Sequence, residues 1–461
     1  MSEHANCSNC LPAYTRRDFL GRFGMGVGGV ALATIFQDLL GTTAEAGVAS
    51  LAPRTGPLPA IAKHVIHIFA GGAPSHLDTF DPKPGLEKFR DKTLPGQSGV
   101  AFPSPFKFPK CGKSGLEISE IFPKLGGVAD EMCVIRSMYT DVPAHGPAAK
   151  LMHTGSAVLT KPSFGSWVLY GLGTQSTNLP GFVAMGGMPE ARQAAFLPSV
   201  YQGAKTEFKP GAPPEKVLPN IRSEFSTLEE QRLQLSLARK LNYTQMLNVQ
   251  KDEQLEARIE SFELAFRMQT AATDAFDINK EPAAVRERYG KSDLAARLLV
   301  ARRLVERGVR FVQIDAGGWD HHAGLFNAIT RSSAAIDQPA AALIADLKER
   351  GLLDSTLIIW GGEFGRTVTT PGRIGNESGR DHHAKCFSVW MAGGGVKGGM
   401  AYGATDEIGY DVAEKGVHVH DLHATLLRLL GFDHTKLTFR YNGRDFRLTD
   451  NYGKIVEEII A

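Results

Sequence analysis

The sequence predicts an α/β fold in which a mostly parallel sheet lies between helices. Short apolar runs that stop at glycine alternate with amphipathic helical stretches, the pattern of strands and their covering helices. Histidines and carboxylates cluster just beyond several of those runs, where a parallel sheet gathers its ligand-binding residues. Hydrophobic residues make up 43% and charged residues 22%, as in a globular protein with a sizeable core. A net charge of +2 creates no bulk field toward nucleic acid, so none is expected as a partner.

The chain opens with an expected leader, residues 1–46. Thr15-Arg16-Arg17-Asp18-Phe19-Leu20 has the twin-arginine pattern, Gly-rich apolar sequence runs from Phe23 to Leu40, and Ala44-Glu45-Ala46 is a small-x-small cleavage site. An uncleaved anchor is the alternative, but the stretch is weakly apolar and borderline in length for a bilayer. The leader implies the twin-arginine export machinery as partner and a periplasmic or extracellular location for a protein that folds first. Cys7 and Cys10 would leave with it, and Cys111, Cys133 and Cys386 allow at most one disulfide.

Residues 47–62 read as a Pro-rich linker and 63–461 as one domain. His64 to Ala70 (HVIHIFA) is a buried strand stopped by Gly71-Gly72, and Met132 to Ser137 is a second. Ala148 to Met152 suits a helix start after Pro147. Residues 165–222, rich in Gly and Pro, read as irregular. Residues 226–290 carry Leu and Phe at helical spacing among charges, a helical cap or insertion. The alternation then resumes: helix from Leu294 to Arg307, strand from Val309 to Ile314, helix from Ala334 to Glu349, and strand from Ser355 to Trp360. Phe387 to Met391 is the next strand, Asp421 caps a helix, and Asn442-Gly443 turns a hairpin.

The polar clusters follow the apolar runs. His76 and Asp78 follow the first and Asp141 and His145 the second. Asp315, Asp320, His321 and His322 follow VRFVQI, and Glu363 follows STLIIW. Asp381, His382 and His383 precede FSVWM. Imidazole with carboxylate, and no thiolate, suits zinc, manganese or iron rather than a structural zinc site. A hydrogen-bonded loop histidine is the plain alternative for each taken singly. His418, His420 and His423 straddle a helix start and read as surface and capping residues, and His64 and His67 as structural. Arg366 and Arg380 flank the site in sequence and suit an anion, or are surface arginines.

AGGAPSHLDTFDPKP from Ala70, DAGGWDHH from Asp315, GGEFGRT from Gly361, and GRDHH with AGGGVKGG from Gly379 and Ala392 together resemble the domain-of-unknown-function-1501 family of secreted bacterial proteins. That family is similar to the alkaline phosphatase and sulfatase superfamily. The resemblance implies an alkaline-phosphatase-like fold with metals at strand ends. It implies a metal site of Asp320, His322 and His382, preceded by Asp315 and with His383 adjacent. A second site would need Asp78 or His76, because Gly71 and Gly72 stand where alkaline phosphatases carry Asp. Glu363-Phe364 stands there in place of Asp-His. HGPAAKLMHTG, from His145 to Gly155, is similar to the segment that opens with the sulfatase Cys or phosphatase Ser/Thr, which puts His145 at the nucleophile position at a helix start suited to an anion. His145 would attack, orient a water, or ligate metal.

These readings lead to an exported metal-dependent hydrolase-like protein acting on a phosphate or sulfate ester, an anionic small molecule. The alternatives are a non-catalytic metal- or ligand-binding descendant of the fold, or a docking partner in a secreted complex.

Overall fold

The computed structural model describes residues 51–206, 208–209, 217, 227–248, 266–268 and 274–461. The expected leader, and much of the expected cap between 249 and 273, lie outside these residues. The central sheet takes strands β1 (His64–Phe69), β2 (Met132–Tyr139), β3 (Phe182–Met185), β4 (Ala204–Thr206), β5 (Phe311–Asp315), β6 (Thr356–Gly361), β7 (Phe387–Ala392), β8 (Met400–Tyr402) and β9 (Val417–His418). Its order is β8-β2-β7-β6-β1-β5-β3-β4, with β9 also on β2. Only β7 runs antiparallel to its neighbours; the other pairings are parallel.

The covering helices are α1 (His145–Thr154), α2 (Phe164–Leu172), α3 (Asp293–Glu306), α4 (Leu325–Glu349) and α5 (Val419–Leu429). Successive strand side chains point to opposite faces, and the two cores follow that alternation. Ile66, Ile68, Val312, Ile314, Ile358 and Trp360 pack with α3 and α4 on one face. Val65, Phe69, Phe311, Leu357 and Ile359 pack with α1, α2 and α5 on the other. Both faces are therefore dry, which is why the strands read as unbroken apolar runs.

Three expectations are corrected. Residues 165–222 are not simply irregular: they contain most of α2 together with β3 and β4. Their apolar runs are short, and each ends within a few residues of Gly or Pro, so the turn residues masked the elements they terminate. Asp421 is not the cap of α5. His418 is, its side chain accepting the His420 amide at 3.2 Å, while Asp421 completes the capping box from the third helical position. His420 and His423, read as surface or capping residues, are buried. Cys111, Cys133 and Cys386 are free thiols.

The strand polarity sets up the site. β1, β2, β5 and β6 end on the same rim of the sheet, and antiparallel β7 begins there. Residues that follow four strands and precede a fifth are thus delivered to one place. Among the described residues no helix is long and apolar enough to cross a membrane.

Candidate metal centre

His145 is the first residue of α1, after extended Ala144. Asp320 and His322 lie on the loop after β5, and Glu363 follows β6. His382 comes from a two-residue ladder with Gly365–Arg366, in which Arg366 opposes His382 and Gly365 opposes His383. Alternation along that ladder turns His382 toward the rim and His383 away from it.

Four of these side chains converge. One ligand atom from each of His145, Asp320, His322 and His382 lies within 4.8 Å of the others. Asp320 Oδ1 is 3.0 Å from His322 Nε2, 3.3 Å from His145 Nε2 and 3.7 Å from His382 Nε2. The far nitrogen of each ring faces an acceptor. His145 Nδ1 meets Glu363 Oε1 at 2.6 Å, His322 Nδ1 meets Asp381 Oδ1 at 2.8 Å, and His382 Nδ1 meets the Pro143 carbonyl at 2.9 Å. In the neutral tautomer these acceptors favour, with the proton on Nδ1, each ring would turn the Nε2 lone pair inward.

The inward atoms meet one cationic donor, Arg366, at Asp320 Oδ1 and His322 Nε2. His322 Nε2 and His382 Nε2 face each other at 3.0 Å, and with both protons on Nδ1 neither can donate. His145 Nε2 is buried and makes no hydrogen bond. Such a set of four atoms around one point would suit a cation, and the chemistry of His₃Asp with no thiolate fits a divalent transition metal. Each ring is also oriented from behind by a carboxylate or carbonyl, as metal-bound histidines are. Asp320 and His322 are nearly half exposed, so the cluster opens to solvent.

Charge around the cluster is tuned accordingly. Burial pushes the Asp320 carboxyl up, but the Arg366 hydrogen bond and charge outweigh it and hold it at about 2. The Glu363 hydrogen bond raises His145, while burial lowers His382.

The remaining candidates are placed as follows. Arg366 is buried and touches the cluster through Asp320 at 2.5 Å and through His322 Nε2 at 3.3 Å, and its remaining donations go to the carbonyls of Gly72, Ala73 and Arg380. It lends charge to Asp320 and keeps no free face for an anion. Arg380, read as an anion binder, instead forms a fully buried ion pair with Asp78 at 2.7 Å. Asp78 is thereby withdrawn from any second metal site. His76 is withdrawn too: it is buried against the Gly409 carbonyl. His383 meets the Tyr410 carbonyl at 2.5 Å, away from the cluster. Asp315 sits at the end of β5 beside Gly186, its carboxyl raised by burial. Glu363 is buried behind His145, with Oε2 unpartnered.

Sequence reasoning gave no role to Asp381, the Pro143 carbonyl or the Gly72 amide. Gly72 has φ 103°, and a Cβ there would lie 2.6 Å from the Asp320 amide. Glycine lets this backbone pass against the Asp320 loop, donate to Glu363 at 3.0 Å and accept from Arg366.

The family model described as "Protein of unknown function (DUF1501)" matches residues 62–460. The chain belongs to this DUF1501 family. No curated protein sequence matches it. Solved structures similar to this DUF1501 chain include Ps i-CgsB in complex with k-i-k-neocarrahexaose, at 11% identity and a TM-score of 0.34, covering 80% of this chain and 72% of that one. The PsFucS1 sulfatase from Pseudoalteromonas sp. is 15% identical, with a TM-score of 0.32 and coverage of 80% and 68%. The alkaline phosphatase from the Antarctic bacterium TAB5 is 12% identical, with a TM-score of 0.29 and coverage of 82% and 99%.

Proposed function

We propose that this DUF1501 protein is an exported, metal-dependent hydrolase acting on a phosphate or sulfate ester. The observation that carries the reading is the set of three inward imidazole lone pairs around Asp320, each ring fixed from behind. A divalent metal held by His145, His322, His382 and Asp320 would supply Lewis acidity toward an ester oxygen and acidify a water. Glu363, Asp381 and the Pro143 carbonyl hold the Nδ1 protons, so the rings stay in the ligating tautomer. Arg366 keeps Asp320 ionised. The start of α1 faces the same rim, and its amide groups favour a negatively charged substrate. Export rests on Arg16-Arg17 and the apolar stretch behind them; a mature N-terminus near Gly47 in secreted material tests it.

His145 also admits a second role, favoured by one distance. Its Nδ1 lies 2.6 Å from the buried Glu363 carboxylate, the arrangement that orients a nucleophilic or basic imidazole. Trapping experiments separate the roles. With p-nitrophenyl phosphate and p-nitrophenyl sulfate as probes, a ligand role predicts turnover without a covalent species, and His145→Asn loses metal and activity together. An acid-labile phosphohistidine at this residue would instead make it the nucleophile. Full metal occupancy with no hydrolysis of any ester tested would leave a metal-binding descendant of the fold.

A further inference from the structure

A second feature lies on the same rim. A cavity of about 410 Å³ opens at the carboxyl ends of β3 and β4, with Met185 and Phe208 as apolar walls and Thr206, Lys209, Asp293 and Arg297 as polar lining. That volume is in the range of small-molecule sites. β3 and β4 lie beyond β5 in the sheet and run parallel to it. At about 4.8 Å per strand the cavity reaches roughly 10 Å out from β5, whose loop carries Asp320 and His322. Gly186 of the lining meets Asp315, which ends β5.

Two groups in this wall are incompletely partnered. Thr206 is 4% exposed, and among the described residues its Oγ1 has no hydrogen-bond partner. Arg297 is pinned by one donation, from Nη1 to the Asp315 carbonyl at 2.7 Å, and among the described residues no carboxylate lies within ion-pair distance of it. Burial lowers the Arg297 pKa, and the charges of Asp315 and Asp293 do not offset it. A partly desolvated guanidinium with open donors calls for an anion, and a planar carboxylate matches its fork. Lys209 adds a second positive charge, while Asp293 and the Thr206 hydroxyl offer partners for hydroxyl groups.

We propose that this cavity is a subsite for a hydroxylated carboxylate, such as a hexuronate unit, in the part of the substrate remote from the scissile ester. The proposal rests on the ester-hydrolase reading for its place in the substrate, but the binding itself does not need the metal centre.

The test uses the full mature chain and titration calorimetry with D-glucuronate and D-glucose. Glucuronate should bind the parent and His382→Ala alike, because the subsite lies apart from the metal ligands. Glucose should bind at least tenfold more weakly. Arg297→Ala should weaken glucuronate at least tenfold, and Thr206→Val severalfold, which keeps the test valid if the arginine variant does not fold. Equal binding of the two sugars, no saturable glucuronate binding, or binding indifferent to Arg297→Ala and Thr206→Val would overturn the proposal. Ester hydrolysis without glucuronate binding would sink the subsite alone. Glucuronate binding without hydrolysis would sink the ester reading and leave the subsite standing.

Discussion

At the scale of single residues, the cluster is defined by what stands behind each ring. His322 is held by Asp381 at 2.8 Å and His145 by Glu363 at 2.6 Å. Such outer partners are typically worth about 10–100-fold in metal affinity. Asp381→Asn should therefore weaken metal binding by about 10-fold without emptying the site, because an Asn amide can still accept the Nδ1 proton when its oxygen faces the ring. Glu363→Gln should cost more, since Glu363 is buried and also accepts the Gly72 amide. Competition with a chromogenic chelator measures both. Metal affinity equal to the parent in both variants would show that the rings are not tuned from behind. The four clustered side chains were legible in the sequence as residue types beside apolar runs. Asp381 was legible only as a neighbour of His382; its contact with His322 was not, because it spans a 59-residue separation closed only by the fold.

At the scale of elements, the legible parts were those with long, uniform apolar periodicity. β1, β5, β6 and β7 each pack on both faces, so their runs are continuous and their position is plain. α2, β3 and β4 were obscured because glycine and proline dominate the segment that contains them. Asp78 misled for a different reason: a carboxylate following the first strand can face the rim or the interior, and local sequence does not say which. Its partner Arg380 is 302 residues away. This pair joins the helical turn His76–Thr79 to the segment that carries Asp381 and His382. Burial raises the Asp78 carboxyl, and the Arg380 charge and hydrogen bonds more than reverse that. Breaking a buried pair from one side costs about 3–5 kcal/mol, so Asp78→Ala should be destabilised by that order in urea unfolding. A change below about 1 kcal/mol would mean the pair is not sealed from water.

At the scale of the whole molecule, several histidines lie inside the fold and away from the metal centre. Burial lowers His64, His67 and His76 to about 4 and His423 to about 3. A lowered histidine pKa means the folded state holds the ring neutral, while the unfolded chain protonates near 6.5. Their contribution is thus full above pH 6.5 and is lost as pH falls from there toward 4, at up to about 1.4 kcal/mol per pH unit for each ring. Thermal unfolding should show Tm falling steeply between pH 6.5 and 4. A flat profile across that window would contradict the buried, neutral assignment. The same sheet that buries these rings delivers His145, Asp320, His322 and His382 to one rim, and the central claim is that they hold a metal. Elemental analysis of the protein as purified, alongside His382→Ala and Asp320→Ala, tests that claim most directly. The account predicts about one transition-metal ion per parent chain and loss of most of it in each variant. Parent protein that carries no metal and takes none up from zinc, manganese or iron salts, or variants that retain a full complement, would contradict it.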